Sequence, residues 1–215
     1  MPLIGDHAPE FHAMTTQGKI DFPADYKGSW VVLFSHPADF TPVCTTEFIA
    51  LSRMNETFAS LNTKLIGLSI DSLHSHLGWI KSIEALNFNN EGKVKIPFPI
   101  IADISMNVAK KYGMLQTVAN TQTVRAVFII DPEGIIRTIL YYPMSTGRNI
   151  PEIIRILQSL QLNDKTHYST PANWQPGDDV VMGAPLTIEE AQERLESSDN
   201  TIKPLDWYLT MKKMK

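Results

Sequence analysis

The chain has 215 residues, 43% of them hydrophobic and 20% charged, with a formal net charge of −4. That balance suits a soluble globular protein with one sizeable core and an appendage. It argues against a nucleic-acid partner, which needs clustered Lys and Arg, because the one basic run is Lys212-Lys213-Met214-Lys215. No apolar stretch approaches the length of a membrane span, so no membrane partner is expected. The start, Met1 to Asp6, lacks the basic-then-apolar pattern of a signal peptide. A single cysteine, Cys44, supplies no disulfide framework. A cytoplasmic enzyme or binding protein fits best.

Taken in chain order, a polar lead-in ends at Lys27-Gly28, and Ser29 to Ser35, with WVVLF at its heart, reads as a buried strand. Pro42 to about Leu61 is helical. Lys64 to Asp71 is a second buried strand. Leu73, Leu77, Ile80 and Ile83 follow helical spacing, which predicts a helix over Ser72 to Phe88. Pro97 to Ala102 is a short strand. Ser105 is a candidate cap for a helix running to about Tyr112, with Gly113 at its end. Val124 to Ile130 is a strand, Asp131-Pro132-Glu133-Gly134 a turn, and Ile135 to Tyr142 the returning hairpin partner. Ile150, Ile153, Ile154, Leu157 and Leu160 form one helical face. The order implies an α/β layer structure with a mixed sheet flanked by helices. After Leu162 the composition turns to Pro, Asn, Asp and Thr. Thr187 then opens T-I-E-E, a capping-box pattern. We divide the chain into a domain over 1–164 and a C-terminal arm over 165–215, too loop-rich for a core of its own and suited to packing on a partner subunit.

The chemistry concentrates in Phe34 to Phe48, FSHPADFTPVCTTEF. Thr41 is a good N-cap and Pro42 suits the first helical position. Cys44, Phe48, Leu51, Met54, Phe58 and Leu61 recur every three or four residues, which puts Cys44 on the inward stripe. Its sulfur then faces unpaired backbone N–H groups at the positive end of a helix, a setting that favours thiolate. Thr41 adds a hydroxyl one turn earlier. Position alone also allows a Cys44 that merely fills the core.

This segment resembles the active-site segment of the peroxiredoxins, whose signature P-x-x-x-T-x-x-C is filled by Pro37, Thr41 and Cys44. The resemblance continues through L-S-I-D-S at Leu68 to Ser72, P-F-P-I-I-A-D at Pro97 to Asp103, T-V-R-A-V-F at Thr123 to Phe128 and T-G-R-N at Thr146 to Asn149. Together these cover most of residues 1–175. His36 and the C-terminal extension point to the one-cysteine branch and its archaeal relatives. The resemblance implies a thioredoxin-like fold and a thiol-dependent peroxidase acting on hydrogen peroxide and organic hydroperoxides, with no cofactor and no metal. Cys44 matches the peroxidatic cysteine. Thr41 and Arg125 match the residues that contact sulfur and peroxide. Arg148 resembles a second arginine near that site. Glu47 matches the acid that orients an arginine, and His36 a histidine beside the thiol. Pro42 restricts the backbone and removes a competing donor.

The chain departs from its relatives in two places. Archaeal two-cysteine relatives carry a C-x-D-W-W-x-C-like segment. Here Pro204 and Thr210 flank Leu205-Asp206-Trp207-Tyr208-Leu209, so an external thiol or dithiol must reduce the Cys44 sulfenic acid. A phospholipase arrangement known in mammalian one-cysteine members is incomplete, because Ser29 is present but Pro23 stands in place of the histidine. Relatives form dimers through the arm, and often rings of five dimers, so the resemblance implies a homodimer assembling into a ring such as a decamer. Two other readings compete: a non-enzymatic thioredoxin-like module or chaperone, and a Cys–His hydrolase, for which His36 shows no evident Asn or Asp partner. His74 and His76, two residues apart on a helix, are expected to diverge and not to chelate a metal.

Overall fold

The computed structural model describes residues 1–115 and 122–214. Within them lie ten strands and six α-helices. They are β1 (Phe11–Thr15), β2 (Gly18–Phe22), β3 (Trp30–Ser35), α1 (Pro42–Arg53), α2 (Asn55–Ser60), β4 (Thr63–Ser69), α3 (Leu73–Ala85), β5 (Ile100–Ala102), α4 (Asn107–Tyr112), β6 (Arg125–Ile130), β7 (Ile136–Tyr142), α5 (Ile150–Thr166), β8 (Val180–Val181), α6 (Ile188–Leu195), β9 (Ile202–Pro204) and β10 (Thr210–Lys212). The chain forms two compact units, Met1–Ile150 and Pro151–Lys215.

The first unit is built on a seven-stranded sheet ordered β2-β1-β5-β4-β3-β6-β7. The inner strands β5, β4 and β3 run parallel, and the flanking strands pair antiparallel, giving the expected mixed sheet. β3 is buried at all six positions, which is why it reads as an unbroken apolar run. Its alternate side chains serve two cores. Val31 and Leu33 join Phe11, Ile66, Leu68, Tyr112 and Phe128. Phe34 instead meets the rings of Phe48 and Phe98. Gly67 of β4 permits that second cluster, since a Cβ there would lie 3.3 Å from Phe34 and 3.4 Å from Phe48.

Several local expectations need correction. The polar lead-in contains the β1–β2 hairpin; Phe11 and Phe22 face each other across it, but the exposed residues between them hide the pattern. The long helix from Pro42 breaks at Met54, which leaves helical geometry and separates α1 from α2. Ser105 does not cap α4. The Asp103 carboxylate takes the N–H groups of Val108 and Ala109 (3.2 and 2.7 Å), and Met106 enters the helix in a left-handed conformation. Other signals match: Ser72 caps α3 through the Ser75 N–H (3.1 Å), and Gly113 ends α4 with φ +67°.

The second unit contains a small antiparallel sheet, β8-β10-β9, with Trp174, Val180 and Thr210 buried. Three short strands with few apolar residues leave almost no periodic trace, so the composition shows only loop. Thr187 caps α6 through the Glu190 N–H (3.1 Å), while the Glu190 carboxylate reaches back to the Leu186 N–H (2.8 Å).

Candidate active site

The site forms where β3 leads through a short turn into α1, opposite the start of β6. Hydrogen bonds lock this junction. The Ser35 hydroxyl donates to the Val124 carbonyl (2.6 Å) and accepts the Ala126 N–H (3.2 Å). The Thr123 hydroxyl donates to the His36 carbonyl (2.6 Å). Arg125, between Val124 and Ala126, is thereby fixed against the end of β3. Phe40, in the intervening turn, is exposed with φ +53°.

Cys44 lies in the first turn of α1 and is fully buried. Pro42 occupies the helix start, and the first helical bond runs from the Thr45 N–H to the Thr41 carbonyl (3.0 Å). Thr41 stands at the N-cap by backbone geometry, but its side chain caps nothing. Its hydroxyl donates to the Ala38 carbonyl (2.8 Å). With the proton committed there, the lone pairs of the hydroxyl oxygen are left to accept.

Arg125 Nη1 sits 3.3 Å from Cys44 Sγ and 2.7 Å from Glu47 Oε2. Its Nε and Nη2 both donate to the Met144 carbonyl (2.9 and 2.7 Å). The guanidinium is therefore held on three sides with one edge against sulfur. Glu47 is the common anchor. Arg148 Nε and backbone N donate to its Oε1 (both 2.9 Å), and Arg148 Nη2 to its Oε2 (2.7 Å). Arg148 Nη1 donates to the carbonyls of Ser35 and Ala126 (2.9 and 3.1 Å), and its guanidinium carbon lies 5.3 Å above the Phe34 ring. The fork of Arg148 is thus turned onto Glu47, not onto the sulfur. Burial on its own raises the Glu47 carboxyl, but Arg148 and then Arg125 outweigh it and hold the group below the usual carboxylate range. One carboxylate between two buried guanidiniums leaves net positive charge beside Cys44.

His36 and Pro37 are buried in the connection after β3. His36 does have an acidic partner, contrary to expectation: Nε2 lies 2.9 Å from Asp39 Oδ1. Asp39 also meets His76 Nδ1 (3.0 Å from Oδ1, 2.8 Å from Oδ2), and His76 Nε2 faces the Ile101 carbonyl (3.1 Å). His74 is exposed while His76 is buried, so the two diverge. Sequence reasoning missed Asp39 and His76. The available signals were the three-residue spacing from His36 to Asp39 and the place of His76 on the buried stripe of α3. It also missed the Met144 carbonyl, which has no side-chain signature at all.

His36, Asp39 and His76 are the trio among the described residues with metal-ligand spacing. They do not fit a cation. A metal on His36 Nε2 would force the ring proton onto Nδ1, which is buried with no acceptor. Contacts of 2.8–3.0 Å between the three side chains are hydrogen bonds that need protons between them.

Comparison with known proteins agrees with this geometry. Residues 4–139 match the AhpC/TSA family, and residues 159–198 match the C-terminal domain of 1-Cys peroxiredoxin. A peroxiredoxin of Methanosarcina mazei is 58% identical over 99% of this chain and 98% of its own length. One of Aquifex aeolicus is 47% identical over 100% and 98%. Among solved structures, the chain resembles a yeast mitochondrial 1-Cys peroxiredoxin studied for thiol resolution via glutathione/thioredoxin systems, with TM-score 0.86, 41% identity and full coverage of both chains. It also resembles a cysteine-to-serine mutant of the Peroxiredoxin 6 of Arenicola marina, with TM-score 0.84, 36% identity and full coverage of both.

Proposed function

The chain belongs to the AhpC/TSA family and is a thiol-dependent peroxidase of the one-cysteine peroxiredoxin type; from that premise we propose how its residues divide the work. Cys44 is the peroxidatic sulfur. The observation that carries this is the Arg125 Nη1 donor 3.3 Å from a fully buried Sγ at a helix N-terminus. Sulfur attacks one peroxide oxygen in line with the O–O bond, and charge grows on the departing oxygen. Arg125 and first-turn N–H groups are fixed donors that stabilise that charge without reorganising. Thr41 accepts the hydrogen bond of the incoming hydroperoxide. Glu47 and Arg148 are positioning residues: Glu47 aims Arg125, and Arg148 neutralises and orients Glu47. Pro37 and Pro42 stiffen the turn and the helix start.

No second cysteine exists to capture the sulfenic acid, so an external thiol or dithiol completes the cycle. Hydrogen peroxide and organic hydroperoxides are the substrates. The arm over 165–215 supports dimerisation, and dimers close into a ring, with the decamer as the expected size. The edge position of β7 and the exposed Leu186, Ile188 and Leu195 support this assembly. No helix among the described residues is long and apolar enough to cross a membrane, and we assign the protein to the cytoplasm. Stopped-flow reduction of peroxide by the prereduced protein, with mass mapping of the Cys44 peptide, tests the reading. One added oxygen on Cys44 is the expected first product; peroxide consumption that leaves Cys44 unmodified would overturn it.

A further inference from the structure

Strands β3 and β6 pair from Val31 opposite Ile130 to Phe34 opposite Val127, and the ladder stops there although β3 runs on to Ser35 and β6 begins at Arg125. Backbone polar groups alternate sides along a strand. The Val124 carbonyl and the Ala126 N–H, on either side of Arg125, turn toward β3, while Arg125 itself pairs with Tyr142 of β7. One hydroxyl serves both groups that turn toward β3. Ser35 Oγ donates to the Val124 carbonyl (2.6 Å) and accepts the Ala126 N–H (3.2 Å). It replaces a rung of the ladder and brackets the residue that carries the guanidinium. The main chain of Ser35 serves the second arginine. Its carbonyl and that of Ala126 both accept from Arg148 Nη1 (2.9 and 3.1 Å). Both guanidiniums that meet on Glu47 are thus referred to one fully buried serine, Arg125 through its backbone and Arg148 through its fork. Ser35 is the polar end of an otherwise apolar strand, WVVLFS, and an apolar side chain there would leave the Val124 and Ala126 groups without this partner.

We propose that Ser35 is a positioning residue of the peroxidase step: its hydroxyl sets where Arg125 leaves the sheet, and with it the 3.3 Å approach of Nη1 to Cys44 Sγ. The inference rests on the peroxidatic reading of Cys44. The Arg125 side chain is held at its tip by the Met144 carbonyl and Glu47, and at its root by Ser35. If the root loosens, the tip stays with its short contacts at 2.7 Å to the carbonyl and the carboxylate. The longer contact to sulfur is the first to be lost. A donor that must be re-aimed during the reaction no longer stabilises the departing oxygen at no cost.

The test separates position from stability. Second-order rates of peroxide reduction are measured by stopped flow for the prereduced wild type, Ser35→Ala, Arg125→Lys and the double variant, each well below its melting temperature. Ser35→Ala should lower the rate at least about tenfold, since a displacement of about 1 Å at a reacting site can cost about a hundredfold. In the Arg125→Lys background, where the fixed donor is already gone, the same change should cost less than about twofold. Losses that multiply across the cycle would show that Ser35 acts without Arg125 and would overturn the proposal, as would a Ser35→Ala enzyme within about twofold of wild type. Ser35→Thr returns a hydroxyl and should recover most of the rate even where its extra methyl lowers the melting temperature. A Thr variant as slow as Ser35→Ala counts against the hydroxyl. If Ser35→Ala does not fold, hydrogen exchange on the reduced wild type still decides. The Ala126 N–H should exchange as slowly as the ladder amides of β6, and exchange at the rate of an exposed loop amide would show that the clamp does not exist. Failure of the peroxidase reading itself registers separately, as wild-type Cys44 that gains no oxygen from peroxide.

Discussion

Replacing Arg125 with Lys keeps the charge and discards the geometry. The guanidinium makes four contacts from three nitrogens: Nε and Nη2 to the Met144 carbonyl, and Nη1 to both Cys44 Sγ and Glu47 Oε2. An ammonium has its three donors on one atom at the end of a flexible stem, so it cannot span the carbonyl, the carboxylate and the sulfur together. Glu47 at 2.7 Å is the strongest partner on offer, and the Lys charge will settle there, away from sulfur. Loss of one fixed transition-state donor costs about 10²–10³ in rate, or about 2.7–4 kcal/mol. The Met144 carbonyl loses its partners as well, a stability cost of about 1–3 kcal/mol. The two effects separate if stopped-flow oxidation of prereduced Arg125→Lys is run well below its melting temperature, with circular dichroism confirming the folded state. A second-order rate constant reduced at least about a hundredfold is expected. A folded variant within a fewfold of wild type would remove Arg125 from the chemistry and leave it as a buried structural pair with Glu47.

Three further outcomes follow from the same contacts. Thr41→Val, which loses the lone pairs facing a ligand, should slow peroxide attack far more than it lowers the melting temperature, whereas Thr41→Ser should keep much of the activity; equal damage from both, tracking stability, would mean that Thr41 serves the turn through Ala38 and not the substrate. Glu47 is held below the usual carboxylate range, so its contribution to stability is complete above the unfolded value of about 4.3 and is lost as the pH falls toward the folded value. Glu47→Gln should remove that part of the pH dependence in urea unfolding from pH 7 to pH 3, and an unchanged slope would contradict the pairing. With Cys44 as the single thiol, peroxide without a donor should arrest the enzyme as sulfenic acid and then carry it to sulfinic acid, with further turnovers only on added thiol. A peroxide-induced covalent dimer on a non-reducing gel, recycled by thiols at a competent rate, would contradict that cycle.

The sequence by itself determined the parts that rest on local pattern. β3 is legible because a strand buried on both faces is an unbroken apolar run, and α1 because Pro42 marks its start and Cys44, Phe48 and Leu51 repeat on its inward side. The proposed nucleophile and its arginine are legible because Thr41, Cys44 and Arg125 sit in short runs that resemble a known family. What failed was local evidence too sparse to show a period: the β1–β2 hairpin with only its ends buried, and the three-residue strands of the second unit. Tertiary structure alone decided who partners whom. Arg125 reaches Cys44 across 81 positions because the antiparallel pairing of β3 with β6 brings the start of one to the end of the other. Arg148, placed near the site by resemblance but with no partner named, becomes the second hand on Glu47. His76 meets Asp39 across 37 positions only because α3 packs beside the end of β3. A buried charge or ring nitrogen must find a partner wherever the fold supplies one. In this site those partners come from distant segments and from backbone carbonyls, and neither leaves a mark in the order of the residues.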